Sequence, residues 1–298
     1  MTLNSKNNEI SRLKIKFVVE NTIYRSKLMA EHGLSVYIYG NLKNGEKFNI
    51  LFDTGQTGEV LMNNIRQMKI DVNNLDCVVL SHGHYDHTGG LKDLLTCING
   101  SIPIYCHPNA FEKKYSVKQG EKREIGMPYG LPELQELGGV FHTNKEPIKI
   151  IDKFGDIFIT TGEVERKKQY EKVPERFKKL ENSKLVYDNI IDDLSLIIDT
   201  PEGIILLTGC CHSGIVNTTN YALKISNSNR ILGTFGGFHL MSANRNKINN
   251  TIRDLKKHFI QLIGGCHCTG LYAIHYLLKE FPDNYRACST GIELFYEF

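Results

Sequence analysis

The stretch Ser81-His82-Gly83-His84-Tyr85-Asp86-His87-Thr88-Gly89-Gly90 constrains this chain more than any other. Before it stands Cys77-Val78-Val79-Leu80, short, apolar and β-branched as buried strands are. After it Leu91, Leu94 and Leu95 fall at helical spacing, with Thr88 as the expected N-cap. Three histidines and an aspartate are therefore expected on a tight strand-to-helix turn. A loop on the rim of a rigid sheet aims several side chains at one point, whereas a strand or helix divides them between faces. Neutral imidazole and carboxylate suit a borderline divalent ion such as Zn2+. With extended backbone around Gly83, His82 and His84 project the same way and can share one metal. Asp86 and His87, past the turn, are placed to serve a second.

Composition bounds the rest. A chain of 298 residues, 41% apolar and 23% charged, buries a sizeable core, and one domain over residues 1–298 is expected. The net charge of +3 calls for no nucleic acid partner. The first ten residues are largely polar, and no apolar run approaches the roughly 18 residues of a membrane span. A soluble cytoplasmic protein without a membrane partner is expected, and the sequence leaves its oligomeric state open. Cys210-Cys211 and Cys266-His267-Cys268 are too close for ordinary bridges within each cluster, which fits a reducing compartment.

Along the chain, Leu13 to Val19, Ser35 to Tyr39 and Phe48 to Phe52 read as three strands of a meander. Asp53-Thr54-Gly55 closes the third at a sharp turn, where a short carboxylate can bond backbone amides or reach the histidine loop. Ile102 to His107 reads as a strand, with a His-Pro opening a helix at Ala110 to Lys114; His107 is assigned to packing and His142 to no function. Tyr115 to Pro132 reads as an exposed loop. Glu165 to Lys184, rich in Lys, Arg and Glu, reads as a solvated helix or loop that could also cover a site. Residues 108–190 as a whole are taken as a variable insertion or cover. Within it Arg166, beside Lys167 and Lys168, is the candidate for an anionic substrate.

The second half repeats one logic. A hairpin signal at Thr200-Pro201-Glu202-Gly203 separates two apolar strands, and the second runs into Thr208-Gly209-Cys210-Cys211-His212. Ile231 to Phe235 runs into Gly236-Gly237-Phe238-His239, and a helix with Ile248, Ile252, Leu255 and Phe259 follows. Ile260 to Ile263 runs into Gly264-Gly265-Cys266-His267. Three successive strand ends each present a histidine.

The His82-x-His84-x-Asp86-His87 loop, the preceding Asp53-Thr54-Gly55 and these later histidines resemble the metallo-β-lactamase superfamily from about Phe48 onward. The segments Thr208 to Asn217, Gly236 to Leu240 and His267 to Gly270 are similar to its 7,8-dihydropterin-6-methyl-4-(β-D-ribofuranosyl)aminobenzene-5′-phosphate synthase-like subgroup, whose archaeal members are transferases of methanopterin biosynthesis. The resemblance implies an α/β protein, a four-layer αββα sandwich of two face-to-face mixed β-sheets with outer helices. It also implies one or two Zn2+ ions, with Mn2+ or Fe2+ as alternatives. His82, His84 and His212 would hold one ion, and Asp86, His87 and His267 the other. His239 would contact substrate or donate a proton, Asp86 would orient the nucleophile, and Asp53 would support the loop. One departure is Cys210, where many members of the superfamily place a bridging aspartate: it could be a thiolate ligand, or the two ions could be joined only by water.

The chemistry expected is a cation lowering the pKa of bound water from about 15.7 toward 7, or binding a phosphate leaving group, on a small phosphorylated or pterin-like substrate. The alternatives are a flavodiiron-like oxidoreductase, which usually carries Glu in place of the second loop histidine, a nuclease, and a non-catalytic metal-binding sensor.

Overall fold

The structure is a computed structural model that describes residues 9–298; the first eight residues of the polar start lie outside it. Two mixed sheets carry the fold. One has seven strands in the order Glu293–Glu297, Ile10–Val19, Ser35–Leu42, Lys47–Phe52, Cys77–Val79, Ile102–Cys106 and Gly139–Thr143. The other has six, in the order Ile260–Cys266, Ile231–Gly237, Gly203–Thr208, Ser195–Thr200, Phe158–Thr160 and Ile148–Lys149.

The apolar runs are continuous because both faces of the central strands are covered. Phe48, Ile50 and Phe52 of one sheet meet Leu196, Ile198, Ile205 and Leu207 of the other in a shared core. Their neighbours Leu51 and Val78 turn outward onto helices Gly58–Gln67, Leu91–Cys97 and Leu131–Glu136. Ile197, Ile204 and Leu206 turn outward onto Ile215–Ser226, Arg245–Leu255 and Leu271–Glu280. Strand alternation with period two thus produces four layers, helix, sheet, sheet and helix, as expected.

A third sheet was not legible in the sequence. Strands Lys184–Tyr187, Phe177–Glu181, Lys114–Lys118 and Glu121–Glu124 pair antiparallel in that order. The expected loop from Tyr115 and the solvated run to Lys184 therefore contain strands, Lys114–Lys118 with Glu121–Glu124 and Phe177–Glu181 with the start of Lys184–Tyr187, between stretches that are not strand. Most of their charged residues are exposed, with Lys114 the buried exception, and the pairing of Lys114–Lys118 with Phe177–Glu181 is long-range, so no local apolar pattern marks it. The stretch 108–190 divides accordingly. Gly139–Thr143 extends the first sheet, Ile148–Lys149 and Phe158–Thr160 extend the second, and the remaining strands make a roof.

Three local expectations also change. Thr88 is not an N-cap: it ends a one-turn helix, Tyr85–Thr88, and its hydroxyl donates to the His84 carbonyl (2.9 Å). The helix expected at Ala110 to Lys114 is a single 3-10 turn, Pro108–Phe111, capped by the buried ring of His107, which accepts from the Asn109 amide. The helix carrying Ile248 stops at Leu255, and Phe259 is exposed beneath the Arg230 guanidinium. Among the described residues no helix is long and apolar enough to cross a membrane, and all eight cysteines are free thiols.

Candidate metal centre

Parallel pairing of Lys47–Phe52 with Cys77–Val79, and of Gly203–Thr208, Ile231–Gly237 and Ile260–Cys266 with one another, sends their carboxyl ends to one rim. Ligands of open α/β sheets bind outside that end. Asp53, the histidine loop, Cys210, His212, His239 and His267 all leave these strand ends. Asp53, Cys211, His239 and His267 adopt positive φ of 59°, 60°, 47° and 50°. Left-handed backbone at four non-glycine residues concentrates strain on this rim.

The first donor set is His82, His84 and His212. His84 Nδ1 lies 2.9 Å from His82 Nε2 and 3.3 Å from His212 Nε2. One ring nitrogen offers a single proton or a single lone pair, so it cannot satisfy both neighbours by hydrogen bonding. Three nitrogens held about 2.05 Å from a tetrahedral ion stand about 3.3 Å apart, so the trio fits a divalent cation. Burial, the largest effect, pushes His84 down to about 3 and His82 and His212 well below the ordinary imidazole value. Neutral imidazoles are the form that ligates.

The second set is Asp86, His87, Cys210 and His267. Cys210 Sγ stands 3.2 Å from His87 Nε2 and 3.4 Å from His267 Nε2. Asp86 Oδ2 lies 3.4 Å from His267 Nε2 and 3.8 Å from His87 Nε2. These separations match the edges of a tetrahedron with one sulfur, about 3.5 Å, and with N and O ligands, about 3.3 Å. Burial works against a charge on His87, yet Asp53 and Asp86 hold it up to about 9. The negative carboxylates that keep a proton on the His87 ring would equally attract a divalent cation in its place. Cys210 thus stands among the donors, where the first of the two expected readings, a thiolate ligand, would put it.

Asp53 serves both sets. Its Oδ1 accepts from the Ser81 amide (2.7 Å), and its Oδ2 accepts from Ser81 Oγ (2.7 Å) and from His87 Nδ1 (2.6 Å). Ser81 Oγ, its proton given to Asp53, accepts from His82 Nδ1 (2.9 Å), which turns His82 Nε2 toward the first set. His267 is oriented the same way: its Nδ1 donates to Asn21 Oδ1 (2.9 Å) and its amide to Glu20 Oε1 (2.8 Å). Two glycines permit the close approach. A Cβ on Gly209 would collide with Ser81 Oγ, and one on Gly83 with the Ala110 carbonyl.

A cavity of about 390 Å3 opens on the rim, bordered by His84, Asp86, Cys210, His212 and His239 and roofed by the third sheet. His239 packs on His212 with ring centroids 4.2 Å apart, and its Nδ1 is buried without a partner. Phe177 of the roof stacks on His84. Arg166 is not part of this wall: its guanidinium donates to Asn189 Oδ1, the Ile190 carbonyl and Ser213 Oγ. The structure brings the six expected ligands, Asp53 and His239 together, and leaves Arg166 outside.

Several residues at the site carried no recognisable signal. His32 reaches Asp86 Oδ2 at 3.3 Å from a Glu-His-Gly loop, where an unassigned histidine was the only cue. Cys268, in a Cys-x-Cys pair too short for a zinc ribbon, donates to the Cys210 carbonyl (3.3 Å). Lys114 is buried with its Nζ 2.8 Å from Asp192 Oδ1, while Asp192 Oδ2 accepts from the Gly83 amide (2.8 Å). That chain ties the roof to the metal loop, and nothing in a lysine-rich stretch distinguishes Lys114.

Behind His212, Glu171 accepts from the Val216 (2.9 Å) and Asn217 (2.8 Å) amides in the first turn of Ile215–Ser226. Burial pushes its carboxyl from 4.5 up to about 7, against those two hydrogen bonds. The folded state then binds more protons than the unfolded between these values, so stability falls as pH rises from about 4.5 to 7 and levels off above. The expected contribution is on the order of 3 kcal/mol. In urea denaturation, wild type should lose stability relative to Glu171→Gln by that amount between pH 4.5 and 7.5; parallel curves would contradict it.

Comparison with known proteins agrees with this geometry. A model described as the metallo-β-lactamase superfamily matches residues 31–168, which include the loop but stop short of His212. The 7,8-dihydropterin-6-methyl-4-(β-D-ribofuranosyl)-aminobenzene-5′-phosphate synthase of Methanocaldococcus jannaschii is 35% identical over 288 residues, 95% of this chain and 96% of that one. A solved structure described as a metal-dependent hydrolase of the β-lactamase superfamily superposes with a TM-score of 0.79 at 27% identity, covering 96% of this chain and 100% of that one. Zn2+-bound PqqB from Methylobacterium extorquens shares the fold at 11% identity and a TM-score of 0.54, over 94% of this chain and 99% of its own. With a nearly full-length relative at that identity and two donor sets on the sheet rim, the chain belongs to the metallo-β-lactamase superfamily and is similar within it to the dihydropterin synthase-like group.

Proposed function

We propose that the protein is a metal-dependent hydrolase or transferase acting on a small phosphorylated or pterin-like molecule. The observation that carries this is the adjacency of two donor sets, His82/His84/His212 and Asp86/His87/Cys210/His267, at the floor of one roofed cavity. Imidazoles with one thiolate and one carboxylate favour Zn2+, then Fe2+, over Mn2+. A divalent ion held there supplies a Lewis acid that makes water acidic enough to ionise near neutrality and stabilises charge on an ester or phosphate oxygen.

The chain's own groups would do the rest. Asp86, ionised because His87 and His267 outweigh its burial, faces the cavity and would orient a nucleophile. His239, at the lip with an unpartnered nitrogen, would contact substrate or hand a proton to the leaving group. Asp53 would hold His87 and, through Ser81, His82 in their ligating orientations. The roof would limit entry of water and admit a small molecule rather than a nucleic acid duplex.

The synthase relative's name supports transfer onto an aryl acceptor, and the structurally similar hydrolase supports attack by water. The test couples elemental analysis to a panel of phosphodiesters, lactones and pterin diphosphates, the last with and without an aromatic amine. Metal-dependent turnover of one class is expected. A metal-loaded protein inert toward all of them would favour a non-catalytic sensor.

A further inference from the structure

The roof sheet presents two different faces. Directly paired residues share a face, and residues two apart along a strand do so as well. Ser116 pairs with both Phe177 and Arg123, and Lys118 pairs with Glu121. Phe177, Ser116, Arg123, Lys118 and Glu121 therefore lie on the face that meets the metal residues, and all five line the cavity. Tyr115 and Lys122 belong to the opposite face, where the Lys122 ammonium sits 4.1 Å from the Tyr115 ring centroid.

On the inner side the Arg123 guanidinium lies 4.8 Å over the Tyr85 ring and the Arg176 guanidinium 4.6 Å over Phe177. Among the described residues neither of these, nor Lys118, is in an ion pair, although Glu121 lies on the same wall. Arg176 is half-buried, and burial presses its guanidinium below the ordinary value. Arg176, partly desolvated, and Arg123, exposed at the cavity mouth, each lack a counter-ion and stack so that the planar fork is held, an arrangement suited to receive an anion from outside.

We propose that Arg123 and Arg176, with Lys118, form the recognition site for a phosphate or diphosphate group on the substrate, holding it opposite the metal residues. The assignment rests on the proposed function and gives it a substrate class. It also replaces Arg166, whose guanidinium is engaged elsewhere. Two planar forks suit paired phosphoryl oxygens, and Tyr85 and Phe177 would flank the organic part of the molecule.

The test is isothermal titration of the purified, metal-loaded protein with inorganic pyrophosphate, comparing wild type with Arg123→Gln, Arg176→Gln and, on the outer face, Lys122→Gln. Metal content and thermal melting establish that each variant is folded and loaded. Saturable binding by wild type, weakened on the order of 10-fold or more by each arginine substitution and unchanged by Lys122→Gln, is expected. No saturable binding by wild type, arginine variants within twofold of it, or equal weakening by Lys122→Gln would overturn the assignment. Hydrolysis of an uncharged carboxyl ester separates the two ideas. If it persists at wild-type rate in arginine variants that bind pyrophosphate normally, the anion site fails while the metal chemistry stands; if wild type turns over no substrate, the proposed function fails and the binding result is judged separately.

Discussion

Replacing His84 with alanine is expected to lower kcat/KM by about 10^3-fold and to release the ion held by the first donor set. His84 Nδ1 is the nitrogen toward which His82 and His212 both converge, so its loss leaves two ligands where three were arranged. The ring also lines the cavity and stacks on Phe177, so part of the effect would come from a disturbed roof. His142→Ala provides the comparison, because His142 is exposed, stacks on Tyr105 and does not line the cavity. Turnover on whichever substrate the panel identifies, measured beside metal content, checks the pair. Unchanged activity with unchanged metal in His84→Ala would remove the first donor set from the chemistry.

The second large effect concerns stability. Lys114→Met should destabilise the fold by about 3–5 kcal/mol, because it strands Asp192 and Asp188 as uncompensated buried charges. Asp192 still holds the Gly83 amide, so the damage reaches the loop that carries His82 and His84. Adding Asp192→Asn to Lys114→Met should recover part of the loss, since the neutral amide keeps an acceptor for Gly83 without the isolated charge. Urea denaturation that follows the midpoint at constant slope measures both. A loss below about 1 kcal/mol for Lys114→Met would mean the ion pair is relaxed by water and does not anchor the loop.

What could be read from the sequence follows from what is local. His82, His84, Asp86 and His87 sit in one short motif between a strand and a helix, and His212 and His267 each follow a strand end with glycine at or beside it, Gly209 and Gly264-Gly265. Such signals survive because strand, glycine-bearing turn and ligand are contiguous. The continuous apolar runs around Phe48 to Phe52 and Ile204 to Leu207 likewise reflected strands covered on both faces. The roof was hidden because Lys114–Lys118 pairs with a strand far along the chain and, among its few apolar residues, carries charged ones at both ends, one of them buried. Arg166 stands out in the sequence beside Lys167 and Lys168 after a strand end, but charge alone cannot distinguish an arginine that faces a cavity, as Arg123 and Arg176 do, from one bonded to Ser213 and a backbone carbonyl. Cys210 gained its meaning from space, where its sulfur falls between His87 and His267.

The proposed function requires that the donor sets hold divalent ions, and anomalous diffraction at the metal absorption edges tests this most directly. Crystals of the protein as purified should give two peaks, one bonded by His82 Nε2, His84 Nδ1 and His212 Nε2, the other by Asp86, His87 Nε2, Cys210 Sγ and His267 Nε2. Absence of a peak at either position, even after soaking in millimolar Zn2+, Fe2+ or Mn2+, would contradict it.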